Sequence, residues 1–134
     1  MAKKKKKNIM VCVTQQKSCE RLIERGAQIR EGTDELHVVH VVKDSWKYFS
    51  EMEESDALDY LYEVSKNFQA NLSVINSDDI EKSLSEFARS RNVRVIVMGE
   101  SKENSKQQDM IFRLRKTINM DVAFDIVTEL ENED

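Results

Sequence analysis

Five β-branched runs alternate with four amphipathic segments along this chain, and the alternation predicts a single three-layer α/β domain built on a parallel sheet. Two further observations point the same way. The first apolar run, Ile9 to Val13, is nearly continuous, as in a strand buried on both faces. Turn residues are scarce: Pro is absent and the 3 glycines are Gly26, Gly32 and Gly99, too few for a many-turned β-sandwich. With 134 residues the chain is one ordinary domain long and can bury a core without metal or disulfide staples.

The elements follow in order. Asn8 to Thr14 reads as the first strand. Ser18 to Arg30 is a helix with Leu22, Ile23, Ala27 and Ile29 as its main apolar positions, Ser18 as its cap and Gly32 just past its end. Leu36 to Val42 is the second strand. Lys43 to Phe49 is a polar stretch with three aromatics, and a second helix spans Met52 to Phe68 on the stripe Leu58, Leu61, Tyr62, Val64 and Phe68. Asn71 to Asn76 is the third strand. Asp78 with Glu81 forms a capping pair for a third helix bearing Ile80, Leu84, Phe87 and Ala88. Arg94 to Gly99 is the fourth strand, Glu100 to Gln108 a polar loop, and Met110, Ile111, Leu114 and Ile118 mark the fourth helix. Asp121 to Val127 is the last strand.

The folded region is thus 8–128. A basic tail (1–7) with five consecutive lysines precedes it, and an acidic tail (129–134) with four acids in six residues follows it; both read as solvated ends. Net charge is −4, so no global basic field attracts nucleic acid, and no apolar run is long enough for a membrane span. Cys12 and Cys19 stand in a C-x6-C spacing that is neither a disulfide scaffold nor a zinc pattern, and they suit a reducing, cytoplasmic setting. Cys19 sits in a helix's first turn, where the dipole favours a thiolate, with Glu20 opposing it.

Ligands of such folds bind beyond the carboxyl ends of the strands, at the point where strand order reverses. The loops to read are therefore Gln15 to Lys17, Lys43 to Phe49 and Gly99 to Lys106. They carry no acidic cluster after the first strand to hold magnesium, no glycine fingerprint for a dinucleotide, no Walker loop and no nucleophile elbow. His37 and His40 fall on opposite faces of one strand and cannot converge as a pair. The chain therefore reads as non-catalytic.

The segments Glu20-Arg21-Leu22-Ile23-Glu24-Arg25-Gly26-Ala27, Leu36 to Val41 and Arg91 to Gly99 resemble the universal stress protein family. Within it, the chain is most similar to the domains embedded in KdpD-type potassium-sensing histidine kinases. The resemblance implies a five-stranded sheet in order 3-2-1-4-5 flanked by four helices, a stress-response or signalling role, and an adenine nucleotide, cyclic di-AMP or ATP, between the first and fourth strands. It also implies dimerisation through the last strand. The alternative is a ligand-free dimerising scaffold for a protein partner. The chain departs from ATP-binding members: of their G-x2-G-x9-G-[ST] pattern only Gly99 is present, and Thr14 and Gln15 stand where an acidic residue is usual.

The residues expected to hold the ligand are Thr14, Gln15, Lys17, Ser18 and Arg21 after the first strand, Val42 and Trp46 after the second, and Gly99, Ser101, Lys102, Ser105 and Lys106 after the fourth. Hydroxyls, ammonium groups and a helix N-terminus together suit a phosphate. Trp46 can stack on an adenine ring. Val122, Phe124 and Ile126 alternate on one face of the last strand and are the expected dimer contact, since a terminal strand in this order is an edge.

Overall fold

The computed structural model describes residues 7–13, 19–42 and 51–128, with the backbone alone for 51–57. The strands are β1 (Asn8–Cys12), β2 (Leu36–Val42), β3 (Asn71–Asn76), β4 (Val93–Gly99) and β5 (Ala123–Val127), and the helices are α1 (Cys19–Ile29), α2 (Glu51–Asn67), α3 (Ile80–Ser90) and α4 (Asn104–Ile118). All five strands are parallel, in order β3-β2-β1-β4-β5. The expected fold class and strand order are both observed.

The sheet divides the core. On one face Met10, Cys12, Val39, Val41, Ile96 and Met98 pack under Leu84, Phe87 and Ala88 of α3 and Ile111, Leu114 and Ile118 of α4. On the other, Ile9, Val11, Leu36, Val38 and Val97 pack under Cys19, Leu22 and Ile23 of α1 and Leu61 and Val64 of α2. Side chains alternate across a strand, so neighbouring residues serve opposite layers. The histidines obey the same rule: His37 meets the Phe87 ring edge-on at 5.4 Å, whereas the His40 ring bonds the Val13 carbonyl.

Several boundaries differ from expectation. β1 ends at Cys12, although the Val13 N–H still donates to the Val39 carbonyl. The cap of α3 is Asp79 and not Asp78: its Oδ1 accepts from the Lys82 N–H at 3.0 Å, and its own N–H donates to Ser77 Oγ. α4 begins at Asn104, inside the expected polar loop, because Asn104 to Lys106 face solvent and the buried stripe starts only at Gln107. β5 begins at Ala123, leaving Val122 before the strand. Tyr62 is 54% exposed and does not belong to the apolar stripe of α2. In α1, Cys19 and Gly26 are buried, whereas Ala27 and Ile29 are only half-buried.

Helices α3 and α4 are joined on their outer side by Arg113, whose Nε and Nη2 donate to Glu81 Oε1 and Oε2 at 2.9 and 2.7 Å. The paired guanidinium holds the Glu81 carboxyl below its usual range. A carboxyl lowered on folding stabilises the fold above its unfolded value and loses that contribution as pH falls through its folded value. Arg113→Ala should therefore lower stability near neutrality and flatten the acid limb of the stability curve, read by urea titrations across pH. An unchanged limb would show that the pair contributes nothing.

Candidate functional site

The chain leaves β1 in one direction toward β2 and β3, then returns to the other side of β1 for β4 and β5. The reversal lies between β1 and β4, and a cleft of about 640 Å³ opens there at the carboxyl ends of the strands. Its apolar lining is Cys12 of β1, Met98 of β4, Leu22 of α1, Ile80 and Leu84 of α3, and Met110 of α4. Its rim is the β4–α4 turn with the start of α4: Gly99, Glu100, Ser101, Lys102, Glu103, Lys106 and Gln107. The volume lies in the range of small-molecule clefts, and the floor is apolar with a polar margin.

The turn is organised by Gln107, a residue not anticipated from the sequence. Its side chain is buried; Oε1 accepts from the Ser101 N–H at 3.1 Å and Nε2 donates to the Gly99 carbonyl at 2.8 Å. Ser101 Oγ in turn accepts from the Glu103 N–H. Lys106 pairs with Glu103 at 2.8 Å in an exposed contact. The signal was present: Gln107 continues the stripe of Ile111, Leu114 and Ile118 at helical spacing, and a polar residue in such a stripe requires partners. Gly99 itself does not enforce a close approach, since a Cβ there would meet Leu22 at an ordinary 3.7 Å.

The structure gathers Gly99, Ser101, Lys102 and Lys106 on the rim. Ser105, exposed on the first turn of α4, and Val42, buried at the end of β2, are not in the lining. Arg21 is committed elsewhere, donating from Nη2 to the Thr128 carbonyl beyond β5. Its neighbour one turn on, Arg25, pairs with Asp125 at 2.8 Å, so this face of α1 clamps the edge strand. Thr14, Gln15, Lys17, Ser18 and Trp46 lie outside the described residues. Val122, Phe124 and Ile126 are half-buried against the α3–α4 layer, and the Arg115 guanidinium lies 5.2 Å from the centre of the Phe124 ring.

Both cysteines are buried. Burial pushes the Cys12 thiol up to about 12. Cys19 is also raised, by burial first and then by Glu20, so the helix dipole does not produce the thiolate that its position suggested.

A model of the universal stress protein family matches residues 6–112. No curated protein matches the chain. Solved structures share its fold at low identity, three among them being the following. One is the hypothetical protein MJ0577, whose biochemical function was assigned from its structure: 14% identity, TM-score 0.64, covering 94% of this chain and 98% of that one. The second is the hypothetical protein PH0823, with 14% identity, TM-score 0.59 and coverage of 95% and 99%. The third is a universal stress protein from Archaeoglobus fulgidus, with 16% identity, TM-score 0.56 and coverage of 91% and 97%. The strand order, the cleft at the reversal and the match across most of its length together place this chain in the universal stress protein family.

Proposed function

We propose that this chain is a non-catalytic regulatory module of the stress-response type, binding an adenine nucleotide, cyclic di-AMP or ATP, in the cleft between β1 and β4. The observation that carries the reading is the pairing of an apolar floor with a polar rim that carries Lys102 in one cleft. Met98, Leu22 and Met110 offer a surface for a base, and Lys102 stands at the margin for a phosphate. The likeness of Glu20–Ala27 and Arg91–Gly99 to the KdpD-type domains favours cyclic di-AMP. Two buried, free thiols fit a role in a reducing, cytoplasmic compartment. Among the described residues no helix is long and apolar enough to cross a membrane.

A thermal-shift panel of ATP, cyclic di-AMP and cyclic di-GMP tests the reading, because a ligand that binds only the folded state raises its melting temperature. An adenine nucleotide should raise it and cyclic di-GMP should not. If none does, the second reading, a ligand-free dimerising scaffold for a protein partner, gains. One observation favours that scaffold: among the described residues β5 pairs with β4 alone, so its outer edge has no strand partner there. Pairing with a second copy would satisfy that edge in a closed dimer. An edge-paired dimer is compatible with an occupied or an empty cleft, so the thermal-shift panel is what separates the two readings.

The rim also yields a substitution test. Lys102→Ala should weaken the nucleotide by about 1–2 kcal/mol, the scale of a charge-assisted hydrogen bond, with little change in stability because Lys102 is exposed. Calorimetric titration reads both. Unchanged affinity would move the phosphate off this rim.

A further inference from the structure

Polyphosphate-binding turns work by aiming free backbone N–H groups at phosphate oxygens, and glycines keep the approach clear. Here the turn after β4 is closed from within. The Ser101 N–H is held by Gln107 Oε1 at 3.1 Å, the Glu103 N–H by Ser101 Oγ at 3.1 Å, and the Glu100 N–H by the Val127 carbonyl at 2.9 Å. The carboxamide of Gln107 is buried and makes two bonds, so it is a built part of the turn and not a stray contact. Charge is balanced too. Lys102 and Lys106 share the rim with Glu100 and Glu103, and Lys106 is already paired with Glu103 at 2.8 Å.

Resting on the reading of this cleft as a nucleotide site, we infer that Gln107 is its specificity-determining residue. Its Oε1 stands in the acceptor position that a terminal phosphate oxygen would take on the turn. The site therefore selects nucleotides with singly charged phosphodiesters over polyphosphates. Each phosphodiester carries one negative charge, so cyclic di-AMP brings two, and Lys102 supplies the cation for one of them. A triphosphate brings several negative charges to a rim whose acidic and basic side chains cancel, and it finds the Ser101 N–H taken.

The test compares cyclic di-AMP and ATP by calorimetry on the full chain, in the wild type, Gln107→Ala and Gln107→Glu. Wild type should bind cyclic di-AMP at least about tenfold more tightly than ATP. Gln107→Ala, which frees the Ser101 N–H, should bind ATP about tenfold better while cyclic di-AMP changes little. Gln107→Glu keeps an acceptor on Ser101 and should still reject ATP. Equal affinities in wild type, or an ATP gain shared by both variants, would overturn the inference; the wild-type arm holds even where a variant fails to fold. A second readout needs no base: the Ser101 amide resonance under inorganic tripolyphosphate should shift in Gln107→Ala and stay put in wild type. If neither nucleotide binds but that contrast appears, the nucleotide reading fails and the closure of the turn by Gln107 stands. If the contrast is absent, the closure itself is wrong.

Discussion

Gly26→Val should lower the melting temperature by about 10 °C. Gly26 is buried where α1 crosses β1 and β2, and a Cβ built there would lie 2.8 Å from both Leu36 Cδ1 and Val11 Cγ2. Leu36 can turn its terminal methyl aside. Val11 has no such freedom: its methyl is one bond from a β-branched carbon on a central strand, and the residue is 0% exposed. Alanine at 26 would recover about 1 kcal/mol of helix propensity against an overpacking cost of about 1–3 kcal/mol, a modest net loss. Valine adds two further methyls and loses the propensity gain, so a cost of about 3 kcal/mol is expected, or roughly 10 °C in a domain of this size. Calorimetry on the two variants checks the order. A valine variant melting within a few degrees of wild type would mean that α1 can lift off the sheet cheaply.

In the proposed homodimer, Ile126→Pro should leave a folded monomer. The direction of the hydrogen bonds decides the outcome. The Val127 carbonyl accepts from the Glu100 N–H at 2.9 Å, so Val127 faces β4. Backbone polar groups alternate sides along a strand, which points the N–H groups of Asp125 and Ala123 inward and those of Ile126 and Phe124 to the open edge. Proline at 126 therefore removes an outward donor and leaves the ladder to β4 intact. Asp125→Pro is the contrast. It deletes an inward donor and the carboxylate that Arg25 holds, and should destabilise the monomer itself. Light scattering with circular dichroism separates the two. A wild-type protein that is monomeric at high micromolar concentration would end the dimer reading. The half-burial of Phe124 and Ile126 within their own domain means that an edge-to-edge dimer would rest more on backbone pairing than on a Phe124 anchor.

The strands were legible because buried parallel strands read as near-continuous apolar runs, and β-branched residues make up most of Leu36–Val42 and Val93–Gly99. The helices were legible through Leu84, Phe87 and Ala88 or Ile111, Leu114 and Ile118, spaced to face one layer. What escaped was local. Asp78 and Asp79 are both capping residues by type, and only backbone geometry selects the second. Asn104 to Lys106 of α4 are polar because they face water, so their sequence resembles loop. At the site, Lys102 and Lys106 stand out as charges, but the capture of Arg21 by the Thr128 carbonyl depends on β5 ending beside α1, a juxtaposition that spacing does not encode. Gln107 was overlooked because an amide has no chemistry until its two partners are known.

The central claim, a nucleotide in the cleft between β1 and β4, is tested most directly by titrating isotope-labelled protein with cyclic di-AMP and following backbone amides by NMR. Saturable shifts are predicted for Gly99, Ser101 and Lys102 and for Cys12 and Leu22 on the floor, with Val74 on β3 and Phe112 on the outer face of α4 unmoved. Absence of saturable shifts, or shifts confined to residues away from the cleft, would contradict it.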